Sequence, residues 1–178
     1  MSQPRAESAP ADVAFPGSPV LPQTFDEDKT IRLRCHRGIA CWNASCRNID
    51  ISLTPYDILR LKRRPGPTVP EFPERYTVPY GMEKDGIAGV KRRPVAEGTA
   101  CQCMVLEDCA VYGNRPTACG YCPVALHSLR RQGESTGRDS YALVKAPHCL
   151  GHDEPREITI GDYRREQGLP EYDELARG

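Results

Sequence analysis

The sequence predicts a small α+β domain of irregular, metal-organised build, with short strands and a few helices. Three observations carry that expectation. Nine cysteines fall mostly into two clumps, Cys35/Cys41/Cys46 and Cys101/Cys103/Cys109/Cys119/Cys122, with Cys149 downstream. A hydrophobic fraction of 39% and 17 prolines in 178 residues leave a thin core, so a bound metal would supply part of the folding free energy. The segments with a readable period are short and are separated by Pro- and Gly-rich crossings.

Residues 1–26 read as a disordered Pro/Ala-rich tail, because so few large apolar groups do not offset the entropy of ordering them. The tail has neither a basic start leading into an apolar run nor a small-residue cleavage site. The expected compartment is therefore the reducing cytoplasm, where stable disulfides are rare and clustered thiols are chiefly metal ligands. Residues 27–178 form the expected cysteine-cluster, metal-binding domain.

From Thr30, Ile31, Leu33 and Cys35 alternate with Arg32, Arg34 and His36, the pattern of a strand delivering Cys35 to the interior. Asn48 to Leu53 alternates through Ile49, Ile51 and Leu53, which puts Cys41 and Cys46 on the loop between two short strands. A helix start follows at once. Thr54 is placed to cap, Pro55 suits the first helical position, Asp57 stands where a capping-box carboxylate would, and Leu53 with Ile58 has the spacing of a hydrophobic staple. That helix should run to about Arg64. Residues 65–100 carry Pro65, Pro67, Pro70, Pro73, Pro79 and Pro94, so a long, mostly irregular crossing with room for one hairpin is expected. The second cysteine clump should lie on short strand and loop pieces ending at Pro123. Tyr141 to Lys145 reads as a strand leading to Cys149, and Thr159 with Asp162 opens a last helix closed by Gly168 and Pro170.

Lys plus Arg equals Asp plus Glu at 24 each, so charge gives no reason to expect nucleic acid. The basic stretches at 60–64, 91–93 and 130–131 read as solvated faces. No apolar run approaches the roughly 20 residues that span a bilayer. Gly-rich phosphate loops, Gly-x-Ser-x-Gly elbows and His-Glu-x-x-His pairs are all lacking.

The chemistry therefore rests on the cysteines. A tetrahedral zinc or a four-iron cluster takes four ligands, so nine cysteines exceed one site and complete at most two. The candidate ligands are Cys35, Cys41, Cys46, Cys103, Cys109, Cys119, Cys122 and Cys149. Cys101 and Cys103 are two apart and would face opposite ways in a strand; Cys103 is favoured as the one that meets the ion. Cys119-Gly120-Tyr121-Cys122 is the one Cys-x-x-Cys, a spacing at which both sulfurs reach one ion. A thioredoxin-like redox pair would need a βαβ unit, which the crossing upstream does not supply. His36 and His148 adjoin cysteines and are possible substitute ligands. His127 and His152 read as surface or capping residues.

These residues also match a known pattern. Cys35-His36-Arg37-Gly38, Cys41-Trp42-Asn43 and Cys46-Arg47, continuing into Ile49-Asp50-Ile51-Ser52-Leu53-Thr54-Pro55-Tyr56-Asp57-Ile58-Leu59-Arg60-Leu61, resemble the YkgJ-type cysteine-cluster proteins, described as zinc- or iron-chelating domains. Cys103-Met104-Val105-Leu106 is similar to the family's Cys-Pro-Phe-Leu. Cys109-Ala110-Val111-Tyr112 with Arg115-Pro116 and Cys119 is similar to its Cys-x-x-Tyr-x-x-Arg-Pro-x-x-Cys. Cys149-Leu150-Gly151 and the region from Thr159 to Tyr172 fit the same family, so the resemblance spans roughly residues 33–175. Two departures stand out. Where the family has a Cys-Cys pair this chain has Ser45-Cys46, and it gains Cys122 after Gly120-Tyr121, where the family carries an Arg followed by two residues. If the two loops converge, Cys122 takes the ligand role lost at Ser45.

The resemblance implies metal binding and links some members to flagellin lysine methylation, although this chain shows no motif for a methyl donor. The expected function is a cytoplasmic metal-binding protein whose clustered cysteines hold an iron–sulfur cluster, 4Fe-4S favoured, because all-sulfur ligation by more than four cysteines suits clusters. The alternatives are a zinc-stapled structural or interaction module with a protein partner, and a cluster-dependent enzyme or accessory in protein lysine methyl transfer. Arg115 stands as a candidate for balancing thiolate charge, or simply for shaping its loop.

Overall fold

The computed structural model describes residues 19–63, 71–82, 87–106, 108–129, 133 and 137–177. The expected tail lies outside the described residues as far as Ser18. Its last part is ordered: Val20–Phe25 forms β1. β1 pairs with β9 (Arg138–Val144), which in turn pairs with β8 (Val124–Leu129), giving a three-stranded antiparallel sheet in the order β1-β9-β8. Phe25 stands opposite Tyr141 and packs on the main apolar cluster. That contact gives the segment the burial that its Pro-rich composition hid. β8 was also unannounced by the sequence, because only its first residues are buried and the rest faces solvent.

β2 (Thr30–Arg32) pairs antiparallel with β10 (Glu157–Thr159), placing Ile31 opposite Ile158. The ladder is shorter than the alternation suggested. Leu33 N–H donates to the Arg156 carbonyl (3.0 Å) and Arg34 N–H to the Gly151 carbonyl (3.0 Å), after which the chain leaves the ladder. Cys35 therefore emerges exposed rather than inside. The strand expected over Asn48–Leu53 contracts to β3 (Ser52–Leu53).

Helix α1 (Pro55–Lys62) forms as its sequence dictates. The Thr54 hydroxyl accepts from Asp57 N–H (3.0 Å), and the Asp57 carboxylate accepts from Thr54 N–H (2.9 Å), a complete capping box with Pro55 at the first helical position. Asp57 is 1% exposed and also accepts from the Thr117 N–H (2.8 Å) and hydroxyl (2.7 Å), so one carboxylate ties α1 to the second half of the chain.

The crossing at 65–100 has more regular structure than its prolines suggested. It contains α2 (Glu71–Tyr76) and a hairpin of β4 (Thr77–Met82) and β5 (Ile87–Arg92). β3 adds to the far side of β5, in the order β3-β5-β4. Pro79 is tolerated because β4 is an edge strand. The clump from Cys101 holds a two-residue ladder of β6 (Met104–Val105) and β7 (Asp108–Cys109), then α3 (Thr117–Tyr121). Thr159 caps α4 (Ile160–Glu166) by accepting from Asp162 N–H (3.0 Å). Gly168, at φ 70°, turns the chain into a further helix, α5 (Leu169–Arg177), where the sequence suggested a stop.

Two apolar clusters result. One gathers Ile31, Leu33, Tyr121, Val124, Tyr141, Ile158, Ile160, Tyr163 and Leu169. The other gathers Leu53, Leu61, Cys103 and Val111, with Cys101 and Cys109 packed on it. The chain is thus a small α+β domain of short strands and helices. Among the described residues, no helix is long and apolar enough to cross a membrane.

Candidate metal centre

Helix α3 links the first cluster to the thiols. Cys119 and Tyr121 are two residues apart, about 200° around a helix, so they face opposite ways. Tyr121 enters the first apolar cluster, leaving Cys119 to face Cys46, Cys101 and Cys109. Gly120, between them, lies against Leu169; a Cβ there would meet the Leu169 Cδ2 at 2.8 Å.

Cys46, Cys101, Cys109 and Cys119 come from four separate segments. Cys101 N–H donates to the Cys46 carbonyl (2.7 Å), joining the two cysteine clumps through the backbone. Met104 pairs with Cys109 across the β6–β7 ladder, and Ala110 N–H donates to the Cys103 carbonyl (2.9 Å), folding Cys109 back beside them. Every pair among these four thiols interacts electrostatically. Burial, then the nearness of Cys101, Cys109 and Cys122, pushes the Cys46 thiol up to about 11. Burial, then Cys46, Cys101 and Cys109, pushes Cys119 up to about 12.

A second set comprises Cys35, Cys41, Cys122 and Cys149. Desolvation by the surrounding loops, followed by Cys41, Cys149 and Cys122, raises Cys35 to about 11, although its edge is open to solvent. Leu150 N–H donates to the Cys41 sulfur at 3.3 Å, which brings the loop after Cys149 onto Cys41. The Ser45 hydroxyl is hydrogen-bonded both to Cys122 and to His148 Nε2 (3.2 Å). The loops that carry Ser45 and Cys122 therefore meet.

The remaining sulfur is Cys103. It is buried in the second apolar cluster, with Arg92 Nη2 at 2.7 Å, while the Cys101 sulfur is 3.6 Å from the same nitrogen. Cys101 accepts from the Cys103 thiol and from Cys103 N–H (3.4 Å) and faces Arg92, so its pKa is lowered; donation to Cys101 and burial raise that of Cys103. Desolvation works against the Arg92 cation, and its interactions with the Cys103 and Cys101 sulfurs outweigh it. The structure thus groups Cys101 with Cys46, Cys109 and Cys119, and gives Cys103 to Arg92. Spacing alone did not show that arrangement, because it depends on the bridge between Pro94 and Cys101 that turns the chain.

The histidines divide. His148 meets Ser45 beside Cys122. His36 hydrogen-bonds through Nδ1 to the Arg37 carbonyl (2.9 Å) and faces Glu154 at 3.5 Å. Arg115 donates to the Tyr112 carbonyl (3.0 Å) and to Gln167, and its charge offsets part of the rise that burial causes in the pKa of Cys35 and Cys109.

All nine cysteines are free of disulfides. Among the described residues, no three His, Cys, Asp or Glu donors are already drawn together at ion-holding distance. In kind and number the two sets fit a soft, thiolate-bound group, since each supplies four sulfurs. In comparisons with known proteins, the chain matches no family model, no curated protein and no solved structure.

Proposed function

We propose that this chain is a metal-binding protein that holds an iron–sulfur cluster on clustered thiolates, as a member of the YkgJ-type cysteine proteins it resembles. The observation that supports this most is that Cys46, Cys101, Cys109 and Cys119, from four separate segments, lie near enough for every pair to interact electrostatically. Each of the four is partly buried, and Cys46 and Cys119 are strongly held in the protonated form by burial and one another. A bound cation replaces those protons and removes the repulsion that ionising them together would create. When bound, such a group supplies electron transfer or structural cross-linking. The protein's own contribution is to gather the sulfurs and to place Arg92 and Arg115 as nearby positive charge.

Cys35, Cys41, Cys122 and Cys149 form the second set, with Cys122 taking the place that Ser45 leaves vacant beside it. A reducing cytoplasm suits these free thiols. A zinc-stapled module is the second reading, favoured by the packing of Cys101, Cys103 and Cys109 on the second apolar cluster, where a metal would fasten the hairpin to α1. An accessory role in protein lysine methylation rests on the family resemblance alone. The deciding experiment is metal and sulfide content of anaerobically purified protein beside the Cys46→Ser/Cys119→Ser and Cys35→Ser/Cys149→Ser variants. Iron with sulfide that falls in the first variant supports the reading, and metal unchanged in both variants ends it.

A further inference from the structure

A cavity of about 230 Å³ lies where α1, the turn at Tyr112–Asn114, the start of α3 and the α4–α5 junction meet. Its walls include Arg60, Tyr112, Arg115, Gln167, Leu169 and Tyr172. Two guanidinium groups facing one small cavity demand an account of their charge. Arg60 donates to the Gly113 carbonyl (2.7 Å) and to Asn114 Oδ1 (3.2 Å). Arg115 donates to the Tyr112 carbonyl (3.0 Å) and to Gln167 Oε1. All four acceptors are neutral. Among the described residues, neither arginine forms an ion pair with a carboxylate.

The two carboxylates at the cavity are engaged with other partners. Glu166 is ion-paired with Arg156, and Glu171 accepts from the Tyr56 hydroxyl (3.0 Å). With Arg156 pairing Glu166, the two guanidiniums outnumber Glu171 among the side chains that line the cavity. Each guanidinium also lies over an aromatic ring: Arg60 is 4.1 Å from the Tyr172 ring centre and Arg115 4.1 Å from that of Tyr112. The ring contact and the hydrogen bonds restrict each fork before any ligand arrives, which lowers the entropy lost on binding. The Tyr172 hydroxyl, donating to the Arg115 carbonyl (3.1 Å), braces the second fork.

We propose that this cavity binds a small organic carboxylate, held by the paired forks of Arg60 and Arg115 between the rings of Tyr112 and Tyr172. A planar carboxylate matches a planar guanidinium through two parallel hydrogen bonds, which a tetrahedral anion matches less well across a slot walled by rings. The volume sets the size, since it is smaller than the ~300–1,000 Å³ of sites for drug-sized molecules. Gly120 is also on the wall, so the ligand sits one residue from Cys119. The site is built from α1, the segment Tyr112–Arg115 and α5, whichever metal the thiols bind.

The test is calorimetric titration of the full chain with succinate at constant ionic strength, with inorganic phosphate as the comparison anion. The expected result is saturable succinate binding, tighter than phosphate. It should weaken at least about tenfold in Arg60→Gln and in Arg115→Gln, as expected when a charge-assisted contact is lost. Arg60→Lys, which keeps the charge but loses the fork, should also weaken it, and Arg138→Gln, at the exposed first residue of β9, should leave it unchanged. Absence of saturable succinate binding, equal affinity in Arg60→Gln, or tighter binding of phosphate would overturn the proposal.

Discussion

Arg92 and Cys103 form a buried contact in which the guanidinium Nη2 lies 2.7 Å from the sulfur, with Arg92 only 4% exposed. A guanidinium keeps its proton at any ordinary pH, so an anion beside it is required to offset the cost of burial. The Cys101–Cys103 pair supplies that anion: donation from Cys103 and the Arg92 charge lower the pKa of Cys101, while donation to Cys101 and burial raise that of Cys103.

Metal-free protein at neutral pH should therefore show ultraviolet thiolate absorption, and Cys101 should be the fastest of the nine cysteines to alkylate. Arg92→Met removes the counter-charge, so the absorption should vanish and Cys101 alkylation should slow about tenfold or more. Peptide mass mapping after timed iodoacetamide treatment reads the outcome. Unchanged kinetics would separate Arg92 from the thiol chemistry.

Asp57 gives a test of the fold. Its carboxylate accepts from Thr54 N–H and from the backbone and hydroxyl of Thr117. Asp57→Ala should cost about 3 kcal/mol, because buried charge-assisted hydrogen bonds are lost together. Thr54→Ala, which loses only the cap, should cost about 1 kcal/mol. Urea midpoints of the two variants check the order.

Tyr121, Arg164 and Asp173 form a second buried polar group. Asp173 Oδ2 accepts from the Tyr121 hydroxyl (2.7 Å) and from Arg164 Nη2 (2.6 Å), and Arg164 also reaches Glu27 (2.9 Å). Arg164→Met leaves the Asp173 charge buried with one fewer donor and should destabilise by about 3 kcal/mol or more. Arg164→Met/Asp173→Leu should recover part of that loss. Denaturation of the single and double variants separates pair energy from packing.

The pH dependence of the metal-free protein follows from Cys46 and Cys119. Their folded pKa values of about 11 and about 12 lie above the ordinary thiol value of 9.0, so unfolded chains release these protons first. Stability should hold below pH 9 and fall as pH rises through 11 and 12. In Cys46→Ser/Cys119→Ser the fall should shrink. An equal loss in the variant would assign it to Cys35 and the buried tyrosines instead.

Local chemistry was readable in the sequence where one segment decides its own shape. Thr54, Pro55 and Asp57 specify α1, and Thr159 with Asp162 specifies the start of α4, because cap and donor lie within one turn. Partners far along the chain were not readable. β1 depends on Phe25 meeting Tyr141, and α5 on Gly168 turning Leu169 into a core built by other strands. The candidate site divides in the same way. The sequence pointed to convergence at Ser45 and Cys122, but the choice between Cys101 and Cys103 turns on Arg92, which belongs to a hairpin strand hidden among prolines.

The most direct test of the central claim is iron, zinc and acid-labile sulfide per chain in protein purified without air, read with its visible spectrum. Iron and sulfide are expected in equal amounts, about four of each per filled four-cysteine site, both falling when Cys46 and Cys119 are replaced by serine. Zinc without sulfide, or no metal at all, would contradict it.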